Sequence, residues 1–333
     1  MPMIVKNKLR IHYRVEGERG AFLLMFHGLF GSGQDWYDSG WVSTLEPEFR
    51  LIVVDARGHG RSDKPPAPEA FTPNLLAEDV VAVMDELSIR NTHFLGYGLG
   101  ALVGFELLTR FPERLRISML GGESPFVTEQ GREKWQDWAQ RLRSGSLSAL
   151  LEHMAATHQL STPLRPVTDE TLPGAQTILD GLVGLPPWQG DKLRPESPVT
   201  LFCAQRDSAL NRIRDARRII NRARLVELPG LDHDSVISQR EALQSEVVRL
   251  LRSGRRPEAG ETSQDRDGKN DNQSGSRESG DRELDIAPLR GRAEESESMN
   301  VQTAAPVSEP EDLHEAGGSG NGSNEVGTEK GSA

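Results

Sequence analysis

Three glycines spaced two residues apart interrupt an apolar stretch, and this stretch constrains the fold more than any other part of the sequence. They are Gly96, Gly98 and Gly100, within the segment THFLGYGLGALV (residues 92–103). The apolar residues before the glycines are typical of a strand, and those after them are typical of a helix. Glycine adopts the positive φ of a sharp turn almost freely. The segment therefore predicts a strand that passes through a tight turn directly into a helix.

Apolar runs on both sides of this turn predict a parallel sheet. Residues 22–26 and 51–54 are apolar throughout, as in strands that are covered on both faces. Residues 4–5 and 9–15 instead alternate apolar and polar side chains, as half-buried strands do. Residues 74–87 have the spacing of a helix, and residues 115–120 form another apolar run. This alternation predicts an α/β fold with a mostly parallel, doubly wound sheet.

The pattern changes between residues 123 and 190. Apolar residues follow short-helix spacing there, and five prolines break the later part. We expect a small helical cap insertion over residues 123–190, with the α/β core formed by residues 1–122 and 191–252. The α/β pattern resumes with a strand, a helix, a strand and a last helix, predicted at 199–204, 209–220, 223–228 and 238–251.

Residues 253–333 differ in composition from the rest of the chain. They hold 18 acidic and 9 basic residues, a net charge of −9 out of −11 overall, and no aromatic residue. Such a segment buries too little apolar area to offset the entropy of ordering, so a disordered acidic tail is predicted. Its one apolar island, residues 283–289, offers a site for a protein partner. A merely solubilising tail is the simpler interpretation.

Composition excludes several classes of protein. Without the tail the charge is nearly balanced, about −2, which does not favour a nucleic-acid surface. Cys203 is the only cysteine, so no intrachain disulfide forms and a cysteine-based metal site is not expected. The N-terminus has no apolar run typical of a signal peptide, and no run reaches the ~18 residues that span a bilayer. We expect a cytoplasmic protein with no membrane contact, no cofactor and no metal.

Two glycine-rich turns follow predicted strands. In the first, HGLFGS (residues 27–32), the backbone N–H of Leu29, with Phe30 as a lesser candidate, is placed to hold an oxyanion. The second is DARGHGRSDKP (residues 55–65). Together with the glycine turn at 96–100, these motifs are similar to those of the α/β-hydrolase superfamily. The resemblance covers roughly residues 4–252 of the chain.

The resemblance implies roles for particular residues. Gly98 takes the central position of the G-x-S-x-G turn, where relatives carry the nucleophile. The N–H of Leu99 becomes the second oxyanion donor, and Asp207 and His233 become the acid and the general base. Glu123 is a lesser candidate for the acid. In this family the 55–65 turn is mainly structural, so His59 and Ser62 are expected to shape the loop.

Because Gly98 has no side chain, ordinary acyl-enzyme chemistry is not available. Three interpretations remain open: a pseudo-hydrolase that binds a small apolar acyl or carbonyl ligand, an enzyme whose water is activated by His233 and Asp207, and an inactivated copy of a conventional hydrolase. A dinucleotide-binding turn is a weak alternative, because residues 96–100 lack the G-x-G-x-x-G spacing.

Overall fold

The structure, a computed structural model, describes most of the chain before the acidic tail. The described residues are 2–156, 174–185, 193, 195–233 and 235–253. Apart from Ser253, the predicted disordered tail lies outside the described residues. Part of the predicted cap insertion also lies outside them, so its boundaries at 123 and 190 stay a prediction.

Eight strands form one sheet in the described part of the chain. They are β1 (Met3–Lys6), β2 (Leu9–Glu16), β3 (Phe22–Phe26), β4 (Arg50–Val54), β5 (Thr92–Tyr97), β6 (Leu115–Gly121), β7 (Val199–Ala204) and β8 (Arg224–Leu228). Their order across the sheet is β1-β2-β4-β3-β5-β6-β7-β8. The β1–β2 and β2–β4 pairs are antiparallel, and the other pairs are parallel. The predicted mostly parallel α/β sheet is confirmed.

Ten α-helices are found among the described residues. They are α1 (Gln34–Asp38), α2 (Trp41–Leu45), α3 (Pro73–Glu86), α4 (Leu99–Arg110), α5 (Glu129–Ser144), α6 (Leu147–Ala156), α7 (Ala175–Val183), α8 (Leu210–Ile219), α9 (Ser235–Ser238) and α10 (Glu241–Ser253). The predicted last helix, 238–251, is displaced, because a short turn ends α9 at Ser238 and α10 begins at Glu241.

Both faces of the sheet are buried, which explains the uninterrupted apolar runs. Along β3, Leu24 and Phe26 join one hydrophobic cluster, which includes side chains of α3, α4 and α8. Leu23 and Met25 point the other way and join a second cluster with side chains of α1, α2 and α10. Successive side chains of a strand point to opposite faces, so a strand covered on both sides must be apolar at every position.

The loop after β4 is fixed by a buried carboxylate, that of Asp55. Its oxygens accept hydrogen bonds from Nδ1 of His12 (2.9 Å) and from the N–H groups of Gly33 (2.7 Å) and Arg61 (2.9 Å). Burial alone would raise the pKa of Asp55, but these hydrogen bonds and the charge of His27 hold the pKa well below its usual range. The carboxylate therefore stabilises this loop in its ionised form.

The low pKa of Asp55 predicts acid sensitivity of the fold. A carboxyl whose pKa is lower in the folded than in the unfolded chain adds stability above its unfolded pKa of about 4, and this stability is lost as the pH falls. Asp55→Asn should lower the free energy of unfolding at neutral pH and flatten its decline below about pH 5. Urea unfolding at a series of pH values measures both effects. An unchanged acid slope in the variant would contradict this role.

A second buried carboxylate in this region holds Arg57. Nε and Nη2 of the guanidinium lie 2.7 and 2.6 Å from the two oxygens of Asp79 on α3, and Nη1 donates to the carbonyl of Ala70. Both charged side chains are buried. Ser62 donates to the backbone carbonyl of Asp55 (2.7 Å). These contacts are those of a loop-forming segment, as the sequence suggests.

Candidate functional site

The glycine turn lies between β5 and α4, and its three glycines are required for different reasons. A Cβ at Gly96 would lie 2.3 Å from the carbonyl oxygen of Gly100, and a Cβ at Gly100 would lie 2.2 Å from that of Phe26. These two positions are therefore closed to any side chain. Gly98 has φ 56° and ψ −113°, and a Cβ there would meet nothing closer than 3.6 Å. At Gly98 the constraint is the backbone conformation alone.

The space beside Gly98 faces a histidine. A Cβ built on Gly98 would lie 3.6 Å from Nε2 of His233 and 3.6 Å from Cα of Gly28, which are ordinary van der Waals distances. The N–H of Gly98 donates to the carbonyl of Gly121 (2.8 Å), and its own carbonyl accepts from the N–H of Ala101 (3.0 Å). The turn is thus anchored to β6 on one side and to α4 on the other.

His233 and Asp207 form a hydrogen-bonded pair at the ends of β8 and β7. Nδ1 of His233 lies 2.7 Å from one carboxylate oxygen of Asp207, and the other oxygen accepts from the N–H of Ala209 (2.8 Å). Burial would raise the pKa of Asp207, but the charge of His233 and both hydrogen bonds lower it. An ionised Asp207 favours the tautomer with the proton on Nδ1, in which the unprotonated nitrogen Nε2 lies on the side of Gly98.

Tyr97 holds His233 from the adjacent strand. Its hydroxyl donates to the backbone carbonyl of His233, and the two rings lie 4.9 Å apart. Tyr97 is the last residue of β5, so the residue just before Gly98 also fixes the histidine loop. The turn and His233 are therefore positioned by a common element.

The predicted oxyanion donors border the same cavity as Gly98 and His233. Leu29 follows β3, and Leu99 is the first residue of α4. Within the described residues, neither backbone N–H donates a hydrogen bond to another protein atom. The lesser candidate Phe30 also lines the cavity, has φ 64°, and packs its ring 6.4 Å from that of Trp138.

Glu123, the lesser candidate for the acid, is engaged with two cations. One of its oxygens accepts from Nη2 of Arg212 (2.8 Å) and from the N–H of Ser124 (3.2 Å), and the other lies 3.5 Å from Nζ of Lys134. Burial would raise the pKa of Glu123, but Lys134 and Arg212 lower it. The structure therefore pairs His233 with Asp207 and leaves Glu123 to a separate ionic cluster.

Helices that follow β6 in the chain supply much of the cavity wall. The apolar lining residues are Leu29, Phe30, Leu99, Leu102, Trp135, Trp138, Met154 and Leu182. The same cavity is bordered by one cationic side chain that sequence reasoning missed, Lys134 on α5. Its position four residues before Trp138 on α5 is the signal that would have placed the two on the same helix face.

Other kinds of site find no support in the described part of the chain. No group of three or more histidine, cysteine, aspartate or glutamate side chains is arranged there to hold a metal ion. No helix among those residues is long and apolar enough to cross a bilayer. The cytoplasmic location inferred from the sequence stays a prediction.

Comparison with known proteins gives one family match. The family described as alpha/beta hydrolase fold matches residues 22–240. That range contains every residue of the site described above. It begins at β3 and ends in the turn between α9 and α10.

Curated relatives match over shorter stretches. A putative carbamate hydrolase, RutD, of Pseudomonas syringae pv. syringae is 37% identical over 100 residues, which are 29% of this chain and 37% of that protein. The 3-oxoadipate enol-lactonase 2 of Acinetobacter baylyi is 27% identical over 152 residues, 46% of this chain and 55% of the relative. The chain thus spans only about two fifths to one half of the length of these relatives.

Solved structures match over most of the chain. The enol-lactonase from Burkholderia xenovorans LB400 superposes with a TM-score of 0.63 at 26% identity, over 75% of this chain and 100% of that one. A hydrolase from Pseudomonas aeruginosa gives a TM-score of 0.65 at 23% identity, over 75% of this chain and 97% of that one. The second similarity shows the shared fold alone.

Proposed function

This chain belongs to the alpha/beta hydrolase fold family, and we propose that within it the protein is a pseudo-hydrolase. It binds a small apolar acyl or carbonyl compound in the cavity beside Gly98 and turns it over at most residually. The helices α5, α6 and α7 act as a cap that shapes the cavity, and the sheet with its flanking helices acts as the core.

One observation carries this proposal. Nε2 of His233 lies 3.6 Å from where a Cβ of residue 98 would be, and glycine offers no atom there to give up a proton. In serine hydrolases, removal of the nucleophile costs on the order of 10⁶ in kcat, whereas the oxyanion hole and substrate binding survive it. Binding without acyl-enzyme chemistry is what such a site retains.

The ligand's carbonyl oxygen is proposed to accept hydrogen bonds from the N–H groups of Leu29 and Leu99. Backbone donors do not depend on the side chain at position 98, so the loss of a serine leaves them intact. The N-terminal end of α4 adds a favourable dipole at the same place. The apolar wall accounts for the preference for a small, largely apolar ligand.

A second candidate function is hydrolysis by an activated water. The 2.7 Å hydrogen bond between His233 and Asp207 supports it, because a pure binding protein has no need of an oriented base. In this mechanism a water next to Gly98 gives its proton to Nε2 of His233 and attacks the carbonyl carbon directly. The tetrahedral adduct then breaks its bond to the alcohol oxygen, which takes the proton from Nε2 of His233, so the acid and the alcohol are released and no acyl-enzyme forms.

Short-chain aryl esters and amides separate the two candidates. We expect amides of short-chain acids to raise the melting temperature of the native protein, and esters to be hydrolysed no faster by it than by its His233→Ala variant. Native ester hydrolysis that disappears in His233→Ala would instead establish the water mechanism. No thermal shift and no hydrolysis would contradict both functions.

The backbone at Gly98 predicts that a serine there destabilises the protein. The observed φ of 56° costs a non-glycine residue ~1–3 kcal/mol, and each kcal/mol corresponds to about 2–4 °C in a domain of this size. Gly98→Ser should therefore lower the melting temperature by several degrees. Gly28→Ser is a matched control, since its φ is not positive and its Cβ also meets nothing closer than 3.6 Å. An unchanged melting temperature in Gly98→Ser would contradict the strained turn.

A further inference from the structure

Lys134 places a positive charge in an otherwise mostly apolar wall of the cavity. It lies on α5, one turn before Trp138, and borders the same cavity as Gly98 and His233. Its side chain is 19% exposed, and its ammonium lies 5.1 Å from the centre of the Trp138 ring. A charge removed this far from water is costly unless a counter-charge accompanies it.

The carboxylate nearest to Lys134, that of Glu123, already binds another cation. One carboxylate oxygen of Glu123 accepts hydrogen bonds from the guanidinium of Arg212 (2.8 Å) and from the N–H of Ser124 (3.2 Å). Lys134 lies 3.5 Å from the other oxygen, which is longer than a normal N–H···O hydrogen bond. Two cations thus share one carboxylate, and Lys134 is the more loosely held.

The other carboxylate of the cavity, Asp207, feels the charge of Lys134, which helps to lower its pKa, but its oxygens are hydrogen-bonded elsewhere. Asp207 is engaged by His233 and by the N–H of Ala209, with distances of 2.7 and 2.8 Å. An ammonium group has three donor hydrogens. In the part of the chain that the structure describes, Lys134 lies 3.5 Å from Glu123, contacts the Trp138 ring and acts on Asp207 through its charge alone.

We propose that Lys134 is a specificity-determining residue, and that the ligand is an acyl or carbonyl compound that also carries a carboxylate. The carboxylate binds the ammonium of Lys134, while the carbonyl oxygen meets the N–H groups of Leu29 and Leu99. This inference rests on the proposed ligand-binding function and adds a carboxylate at one end of the otherwise apolar ligand proposed there. The apolar side chains between the two polar ends select the length of the ligand.

Succinamate and succinamide test the charge preference. Both carry an amide carbonyl and have the same length, but only succinamate has a carboxylate, and neither is an ester that the site would readily consume. By calorimetry, the native protein should bind succinamate at least about 10-fold more tightly, since hydrogen bonds to charged groups have that order of effect. Lys134→Met should abolish the preference, and Lys134→Arg should keep most of it.

Arg141→Met is the matched control, because it removes one positive charge from the same helix at an exposed ion pair with Asp137. The Arg141→Met variant should prefer succinamate over succinamide to the same extent as the native protein. If Lys134→Met fails to fold, the native preference must still shrink as salt rises from about 0.05 to about 0.5 M.

The outcomes distinguish this inference from the function on which it rests. Equal binding of the two compounds by the native protein would overturn the carboxylate preference and leave the proposed ligand-binding function standing. No binding of either compound would count against both. Lys134 would have only a structural role if Lys134→Met weakened the binding of both compounds equally. The same would follow if salt left the preference for succinamate unchanged.

Discussion

Gly98→Ser is expected to raise short-chain ester hydrolysis at least about 100-fold over the native protein, a partial recovery of the ~10⁶ in kcat that a serine nucleophile contributes. The hydroxyl would extend from a Cβ that lies 3.6 Å from Nε2 of His233, within reach of a hydrogen bond to this base. The space for it exists, because no atom outside the adjoining residues approaches the Cβ more closely. The rate of release of the aryl alcohol measures the gain.

Two variants control this experiment. Gly98→Ala imposes the same backbone strain without a hydroxyl, so its activity should stay at the native level. Gly98→Ser combined with His233→Ala keeps the hydroxyl and removes the base, so it should lose the gain. A Gly98→Ser protein that folds and shows no gain would mean that the histidine and the turn do not form a working pair.

Asp79→Ala should destabilise the protein by about 3–5 kcal/mol, because it leaves the guanidinium of Arg57 buried without its counter-charge. Both side chains are almost fully buried, with exposed fractions of 4% for Arg57 and 2% for Asp79. The pair also connects the loop after β4 to α3, so the substitution removes a direct contact between these two elements. Urea unfolding followed by circular dichroism measures the change.

The double variant Arg57→Met with Asp79→Leu is the matched control. Replacing both members of a buried ion pair by apolar residues of similar volume is often neutral or stabilising. We expect the double variant to be markedly more stable than Asp79→Ala. Equal destabilisation in the two proteins would show that packing at this position matters more than the unpaired charge.

The sheet and the glycine turn were predictable because their constraints are local in the sequence. A strand buried on both faces is apolar at every position, as residues 22–26 are, and this leaves a visible run. The helix predicted at 74–87 is observed as Pro73–Glu86, since its apolar residues recur with helical spacing and Pro73 marks its start. The positions of Asp207 and His233 followed from a family resemblance that keeps their order.

The features that the sequence did not indicate include contacts between residues far apart in the chain. Glu123 and Arg212 are 89 positions apart, and nothing in either local sequence indicates that they meet. Lys134 joins them because α5 borders the same cavity as Glu123. The helices α1 and α2 have five residues each, too few for a helical period to appear.

The flanking glycines determine the shape of the turn, whereas the residue at position 98 determines which reactive group it presents. Gly96 and Gly100 are fixed by their contacts with neighbouring backbone, whereas position 98 has room for a small side chain. A change at position 98 therefore alters the chemistry available to the site without rebuilding the scaffold around it. A nucleophile introduced at this position would be opposed by a backbone strain of only ~1–3 kcal/mol.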